Sequence, residues 1–246
     1  MNMNISKHNI EKYYFGNPVF IADKILFIKR HAKLKTYRER LTDIHEFGNI
    51  WHGVTGVLRG QRVTIIVTGI GPSMVGDAVY AINKPDSVCL YTGTCGGLHE
   101  ELMIGDYFVA DHAICGDGYS YHFGHMPLKE ISGDFDVLAS INTFIAKKAG
   151  RVFSGTTFTT SSVVREADAN FWNGVDKKCK VIEMATAAFY AAAAATQKNA
   201  AAYFWVSDLP TRGKSFFDEI SPDEIQNKQN RYDHSVDFDL DLLASL

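Results

Sequence analysis

Residues 63–67 read Val-Thr-Ile-Ile-Val, a β-branched run in which polar and apolar positions do not alternate. Branching at Cβ favours extended backbone, and the missing polar face marks a strand buried on both sides. The run ends at Gly69-Ile70-Gly71-Pro72-Ser73, where Ser73 or a neighbour is placed to cap a helix reaching residue 82. The same alternation repeats downstream. Strands are expected at 87–91, 107–112, 152–158, 181–184 and 203–206, and helices at 137–149, 186–196 and 223–243. The 186–196 segment owes its helical reading to alanine, the residue with the best intrinsic propensity. Its five alanines at 191–195 would let a helix pack closely on a sheet, and no chemistry is assigned to them. Residues 54–58 and 62–68 flank Arg59-Gly60-Gln61 as a hairpin. Residues 5–47 are polar and read as helical, broken at Gly16-Asn17-Pro18. Strands alternating with helices predict an α/β fold, with a central mixed, twisted sheet flanked by helices. No linker, repeat or low-complexity tail divides the chain, so residues 1–246 are expected to form a single domain.

Composition narrows the functional classes. Hydrophobic residues make up 46% and charged residues 22%, and the formal net charge is −3, which argues against nucleic-acid or membrane partners. No apolar run is long enough to span a membrane. Residues 1–12 are polar and lack the apolar stretch of a signal peptide, so a soluble cytoplasmic protein is expected. Cys89, Cys95, Cys115 and Cys179 form no CxxC and have no His-rich neighbourhood. They read as reduced thiols, with neither a metal site nor a cofactor implied.

Chemistry is sought where strands end, because ligands of open α/β sheets sit beyond the strands' carboxyl ends. Three stretches rich in Gly, Ser and Thr are read as loops at such ends: 68–73, 92–97 and 155–162. Glycines let backbone N–H groups approach an anion or a sugar oxygen, and hydroxyls add donors. Each loop reads equally well as a tight turn. Val206-Ser207-Asp208 follows the aromatic run Tyr203-Phe204-Trp205. An Asp at a sheet end, partly buried, would favour the protonated form that a general acid needs. The other reading of Asp208 is a cap on the turn Leu209-Pro210-Thr211.

Six segments in order resemble the nucleoside phosphorylase/nucleosidase superfamily, which includes purine nucleoside phosphorylase, uridine phosphorylase, methylthioadenosine nucleosidase and AMP nucleosidase. They are Thr68-Gly69-Ile70-Gly71-Pro72-Ser73; Gly93-Thr94-Cys95-Gly96-Gly97-Leu98 with Ile104-Gly105-Asp106; Asp117-Gly118, His122-Phe123 and Gly133-Asp134-Phe135; Gly155-Thr156-Thr157-Phe158-Thr159-Thr160; Glu183-Met184; and Val206-Ser207-Asp208. The resemblance covers residues 50–243 and is closest in motif to AMP nucleosidase. It implies a nucleoside-phosphorylase-like fold and cleavage of the N-glycosidic bond of a purine nucleoside or 5′-nucleotide. It also implies a homodimer or homohexamer. Asp208 would protonate purine N7, with Ser207 orienting it. Phe158 and Thr159 would belong to the base pocket, Glu183 and Met184 to the sugar site, and Gly71 and Thr94 to the nucleophile or phosphate site, with Cys95 and Gly96 also binding substrate.

Two departures from the family pattern matter. Met184-Ala185-Thr186-Ala187 carries Ala185 where the family has the Glu that holds the ribose hydroxyls. This implies an impaired enzyme, by an introduced change or a natural loss. The cations expected for a phosphate nucleophile are also missing. Gly16-Asn17-Pro18-Val19-Phe20 ends in Phe where an Arg is expected, Tyr91 stands at a second such position, and a third falls near Asn49. Each lost charge-assisted bond is worth about 1.5–3 kcal/mol, so attack by water is favoured over phosphorolysis. Phosphorolysis, with Lys24 or Arg212 as the cation, and a nucleoside-binding protein without turnover are the rival readings.

Overall fold

The computed structural model describes residues 6–16, 20–149, 151–219 and 221–246. Helix α1 (Lys7–Phe15) is capped by Ser6, whose hydroxyl accepts from the Asn9 amide at 3.2 Å. Strand β1 (Lys24–Ile28) follows, then a 3-10 turn (His31–Lys33), helix α2 (Leu34–Arg38) and strand β2 (Thr42–Gly48). The helical expectation for 5–47 is therefore corrected. Ile25-Leu26-Phe27-Ile28 is buried throughout, and four consecutive buried residues fit a central strand rather than one stripe of a surface helix. Strands β3 (His52–Leu58) and β4 (Gln61–Val67) form the expected hairpin. Its turn residues Arg59 and Gly60 have φ of 49° and 81°, the two positive values that a type I′ turn requires. Residues 63–67 are all buried.

Helix α3 (Pro72–Ala81) starts from Gly71 at φ 110°, with no side-chain cap, so Ser73 does not cap it. Next come β5 (Val88–Gly97), β6 (Tyr107–Gly116), β7 (Glu130–Ser132) and α4 (Phe135–Ala149). The chain continues through β8 (Val152–Thr160), β9 (Cys179–Glu183), α5 (Thr186–Ala195), β10 (Asn199–Asp208) and α6 (Pro222–Ser245). Two of the three expected loops prove to be strand, since β5 runs on through 92–97 and β8 through residue 160. β5 stays extended because β10 pairs with it in parallel from Val88 to Gly96.

Among the described residues, ten strands form one mixed sheet. β1 lies between β4 and β5, parallel to both, and β3 and β2 extend that side antiparallel. The other side closes on itself. β10 pairs β6, β6 pairs β8, β8 pairs β9, and β9 returns to β5 at Gly96 and Gly97. Helices cover both faces. Side chains of α1, α3 and α5 share one core cluster, and those of α2, α4 and α6 share another. Residues 186–193 of α5 are buried, which small side chains allow against a sheet. None of the described helices is long and apolar enough to cross a membrane.

The seam between β6 and β10 is short, running from Val109–Tyr203 to Tyr107–Trp205. Beyond it the Tyr190 hydroxyl bridges the two strands, donating to Ala110 O at 2.5 Å and accepting from Ala202 N at 3.0 Å. Tyr190→Phe leaves a buried amide and a buried carbonyl unpaired. We expect a loss of about 1–3 kcal/mol of stability, read as a lower urea midpoint at unchanged slope.

Candidate active site

β5 changes partners along its length. β1 pairs with it only as far as Tyr91, and β9 joins only at Gly96. Residues 92–95 lie between these two pairings, and the sheet splits there into a wedge. β9 runs antiparallel to β5, so Glu183 and Met184 point back toward Cys95 and into the split. A cavity of about 230 Å3 fills the wedge. It is walled by Lys29 and Arg30 beyond β1, by Thr94, Cys95 and Gly96 of β5, and by Ile182, Glu183 and Met184 at the end of β9. Ser207 and Asp208 close it at the end of β10, and Ile70, Val163, Glu166 and Phe216 complete the rim.

A bulge sets the acidic end. Register between β10 and β5 shifts between Val206 and Asp208, leaving Ser207 without a partner residue. In a regular strand neighbouring side chains point to opposite faces, whereas a bulge re-aims them. Ser207 and Asp208 thus both reach the cavity. Asp208 is 5% exposed, and the Ser207 hydroxyl donates to its Oδ1 at 2.6 Å, with Cys95 O at 3.3 Å. Asp208 is the last residue of β10 rather than a residue of the following turn.

Glu183 is occupied by its own chain. Its Oε1 accepts from the Thr159 hydroxyl at 2.7 Å and from Thr186 N at 2.9 Å, and its Oε2 accepts from Ala185 N at 2.7 Å. Thr159 Oγ1 in turn accepts from Ala187 N at 2.9 Å. A carboxylate at the start of α5 satisfies orphan amides and faces the positive end of the helix dipole. Glu183 thereby fixes the backbone of Met184 in the cavity wall.

Lys29 is half-buried. Its Nζ donates to Thr94 O at 3.1 Å and lies 5.4 Å and 5.2 Å from the ring centres of Tyr91 and Phe204. Burial pushes the ammonium below its ordinary value, and the charge of Glu183 opposes this. Glycine at 93 leaves room for Lys29, since a Cβ there would lie 2.7 Å from Lys29 Cε and displace the end of that side chain. Burial holds the Cys95 thiol well above its usual range, so no reactive thiolate is offered. Glu166 is pushed up to about 7, first by burial and then by the charge of Asp208.

Of the residues singled out from sequence, the cavity gathers Thr94, Cys95, Gly96, Glu183, Met184, Ser207 and Asp208. Four do not line it. Gly71 starts α3, and Thr159 stands behind Glu183. Phe158 packs in a satellite cluster with Ile114, Cys179 and Ile182. Ala185 is fully buried at the start of α5. Among the anion positions, Tyr91 is buried, and its hydroxyl has no hydrogen-bond partner among the described residues. Asn17-Pro18-Val19 lie outside the described residues. Arg212 holds the carbonyls of Glu100 and Leu102, and Lys24 bonds Gln61, so neither lines the cavity. Sequence reasoning missed Lys29, Arg30, Val163, Glu166 and Phe216. The apolar run 25–28 followed at once by two cations is a signal for the first pair. Phe216-Phe217 is a second signal, an aromatic pair 56% and 50% exposed. Nothing in the local sequence marks Val163 or Glu166.

Comparison with known proteins agrees with this architecture. The sequence model of the phosphorylase superfamily matches residues 26–234. A DeoD-type purine nucleoside phosphorylase of an Exiguobacterium species is 28% identical over 232 residues, covering 90% of this chain and 92% of that one. The uridine phosphorylase of Vibrio fischeri superposes with a TM-score of 0.71 at 16% identity, covering 92% of this chain and 88% of its own. The AMP nucleosidase of Bacteroides thetaiotaomicron gives 0.70 at 24% identity, covering 82% and 89%. These two likenesses show the fold.

The Glu183 bonds can be tested by stability alone. In Glu183→Gln one carboxylate oxygen becomes an NH2 that faces a donor, and the charge is lost. The expected cost is about 1.5–3 kcal/mol, read as a lower urea midpoint. A change under about 0.5 kcal/mol, the size of an ordinary surface substitution, would mean that the carboxylate does not hold α5.

Proposed function

The chain belongs to the phosphorylase superfamily, and on that premise we propose that it cleaves the N-glycosidic bond of a purine nucleoside or 5′-nucleotide, with Asp208 as the acid and water as the preferred nucleophile. The observation that carries this reading is Asp208, a buried carboxyl at the sheet end, bonded by Ser207 and facing the cavity. In the proposed step the C1′–N9 bond breaks and its electron pair moves onto the base. Protonated Asp208 gives its proton to purine N7, and the water oxygen bonds to C1′. The proton that the water sheds restores the acid. The similarity to a purine nucleoside phosphorylase supports the purine substrate.

Phosphorolysis is the second reading, and Lys29 and Arg30 in the cavity wall favour it. A phosphate there would gain charge-assisted bonds of about 1.5–3 kcal/mol each. The buried Tyr91, at a position where the family carries a cation, favours water. Base release that needs no phosphate supports hydrolysis, and release that depends on phosphate supports phosphorolysis.

Asp208→Asn, made in the Ala185→Glu background so that turnover is measurable, tests the acid. The amide keeps the shape and cannot donate a carboxyl proton, so purine release is expected to slow by about 10²–10⁴-fold at an unchanged melting temperature. Purine release at the original rate would remove Asp208 from the reaction.

Ala185 tests the sugar site, whose assignment to this position rests on the family motif. A glutamate there would accept from the ribose 2′- and 3′-hydroxyls and stabilise positive charge growing at C1′, more in the transition state than in the ground state. Ala185→Glu is expected to raise the turnover number at least about 10²-fold, which is roughly 2.7 kcal/mol, with a smaller change in substrate affinity. Single-turnover base release measures this. Equal rates in the two proteins would detach position 185 from the ribose.

A further inference from the structure

Asp208 is not the only carboxyl in the cavity that a ligand can reach. Glu166 lies in the 3-10 turn Val163–Ala167 beyond β8 and lines the same cavity, half-buried. The turn is pinned, because Trp172 Nε1 donates to Glu166 O at 3.1 Å. Its neighbour Arg165 is turned aside to Asp168 at 3.2 Å. Among the described residues no ion pair or side-chain hydrogen bond is made by the Glu166 carboxyl. Glu183 differs, with both oxygens taken by its own chain. Glu166 and Asp208 therefore face a shared ligand from two elements, a turn and a strand end.

Two carboxyls around one poorly solvated cavity do not readily both ionise. The upward push on Glu166 from burial and from Asp208 means that the two carboxyls feel each other; without a ligand this favours the proton on Glu166, and a base N7 that accepts from Asp208 would draw it to Asp208. A pair that keeps one proton offers one donor and one acceptor. The Hoogsteen edges of the purines differ in this respect. A 6-aminopurine presents an acceptor at N7 and a donor on its amino group, whereas a 6-oxopurine presents two acceptors. The singly protonated pair matches the first and sets an oxygen against O6 of the second.

We propose that Glu166 is a specificity-determining residue that selects a 6-aminopurine over a 6-oxopurine, accepting from the 6-amino group while Asp208 donates to N7. This rests on the reading of the cavity as the purine site. Glu166 positions the base and takes no part in bond breaking. A mismatched ligand leaves a buried polar group unpaired, the situation in which binding sites discriminate most strongly.

The test compares the protein with Glu166→Gln and Glu166→Asp. Binding of free adenine and hypoxanthine is measured by calorimetry, and kcat/KM for adenosine and inosine is measured in the Ala185→Glu background. The protein is expected to prefer adenine at least about tenfold, which corresponds to 1.4 kcal/mol. Glu166→Gln, whose amide can donate or accept, should erase most of that preference. Glu166→Asp keeps the charge and should retain the preference at lower affinity. An adenine preference that Glu166→Gln leaves intact overturns the assignment, as does a protein with no preference. Cleavage without an effect of Glu166→Gln removes Glu166 and leaves the glycosidase reading standing. Base preference that depends on Glu166, without cleavage of either nucleoside, supports Glu166 and removes the glycosidase reading. Absence of both binding and cleavage removes both.

Discussion

Strand β5 has to satisfy three neighbours within ten residues, and the architecture follows from how it does so. Its backbone is paired with β10 along one edge almost to the end. On the other edge β1 serves residues 88–91 and β9 serves Gly96 and Gly97. β1 and β9 approach from opposite directions and cannot occupy the same length of edge, so a gap opens between them. Buried backbone groups in such a gap need other partners, and Lys29 supplies one by donating to Thr94 O. Glycine at 93 gives Lys29 room to cross. Gly96 and Gly97 are also closely approached, by Ile182 and Pro210 and by Leu209 and Val206. The glycines of this strand let neighbouring side chains approach it closely at the junction.

Once the sheet has split, the ends of three strands deliver a fixed order of charge. Asp208 ends β10, Thr94 and Cys95 lie on β5, and Lys29 and Arg30 follow β1. β5 lies between the other two. A nucleoside with its base toward Asp208 would set its sugar over β5 and any phosphate, whether nucleophile or 5′-group, toward the cations.

The α/β class, the hairpin and, apart from the short β7, the order of strands and helices after residue 50 are legible, because those strands carry apolar runs and the helices carry alanine or a clear period. β1 was hidden. Its apolar core is only Ile25-Leu26-Phe27-Ile28, set in a polar region that on average reads as helix. With β1 went Lys29 and Arg30, so the basic wall was sought at Gly16–Phe20, Tyr91 and Asn49 instead. The glycine-rich stretches 92–97 and 155–162 looked like loops because glycine usually interrupts strands, and tertiary pairing overrode that preference. Asp208 was visible because a buried aromatic strand led directly to it. Nothing in the sequence marks Glu166, since its place in the same cavity as Asp208 depends on where the turn after β8 lands.

The burial of Glu183 bears on the chemistry of the proposed step. Positive charge growing at an anomeric carbon needs a nearby anion that is not already committed. Glu183 is close by sequence and by wall, yet its charge is spread over three donors that hold the start of α5. Asp208 must be protonated to act as the acid, and Glu166 shares its end of the cavity. Lys29 and Arg30 add repulsion from the opposite wall. On the proposed reading the cavity would serve a leaving purine and an anion well, and the cationic sugar between them poorly. The family motif puts a glutamate at the position after Met184, where this chain has Ala185. Ala185 is fully buried beside amides that Glu183 already occupies, so a carboxylate at that position would have to turn out of the start of α5 to bring an uncommitted charge to the sugar.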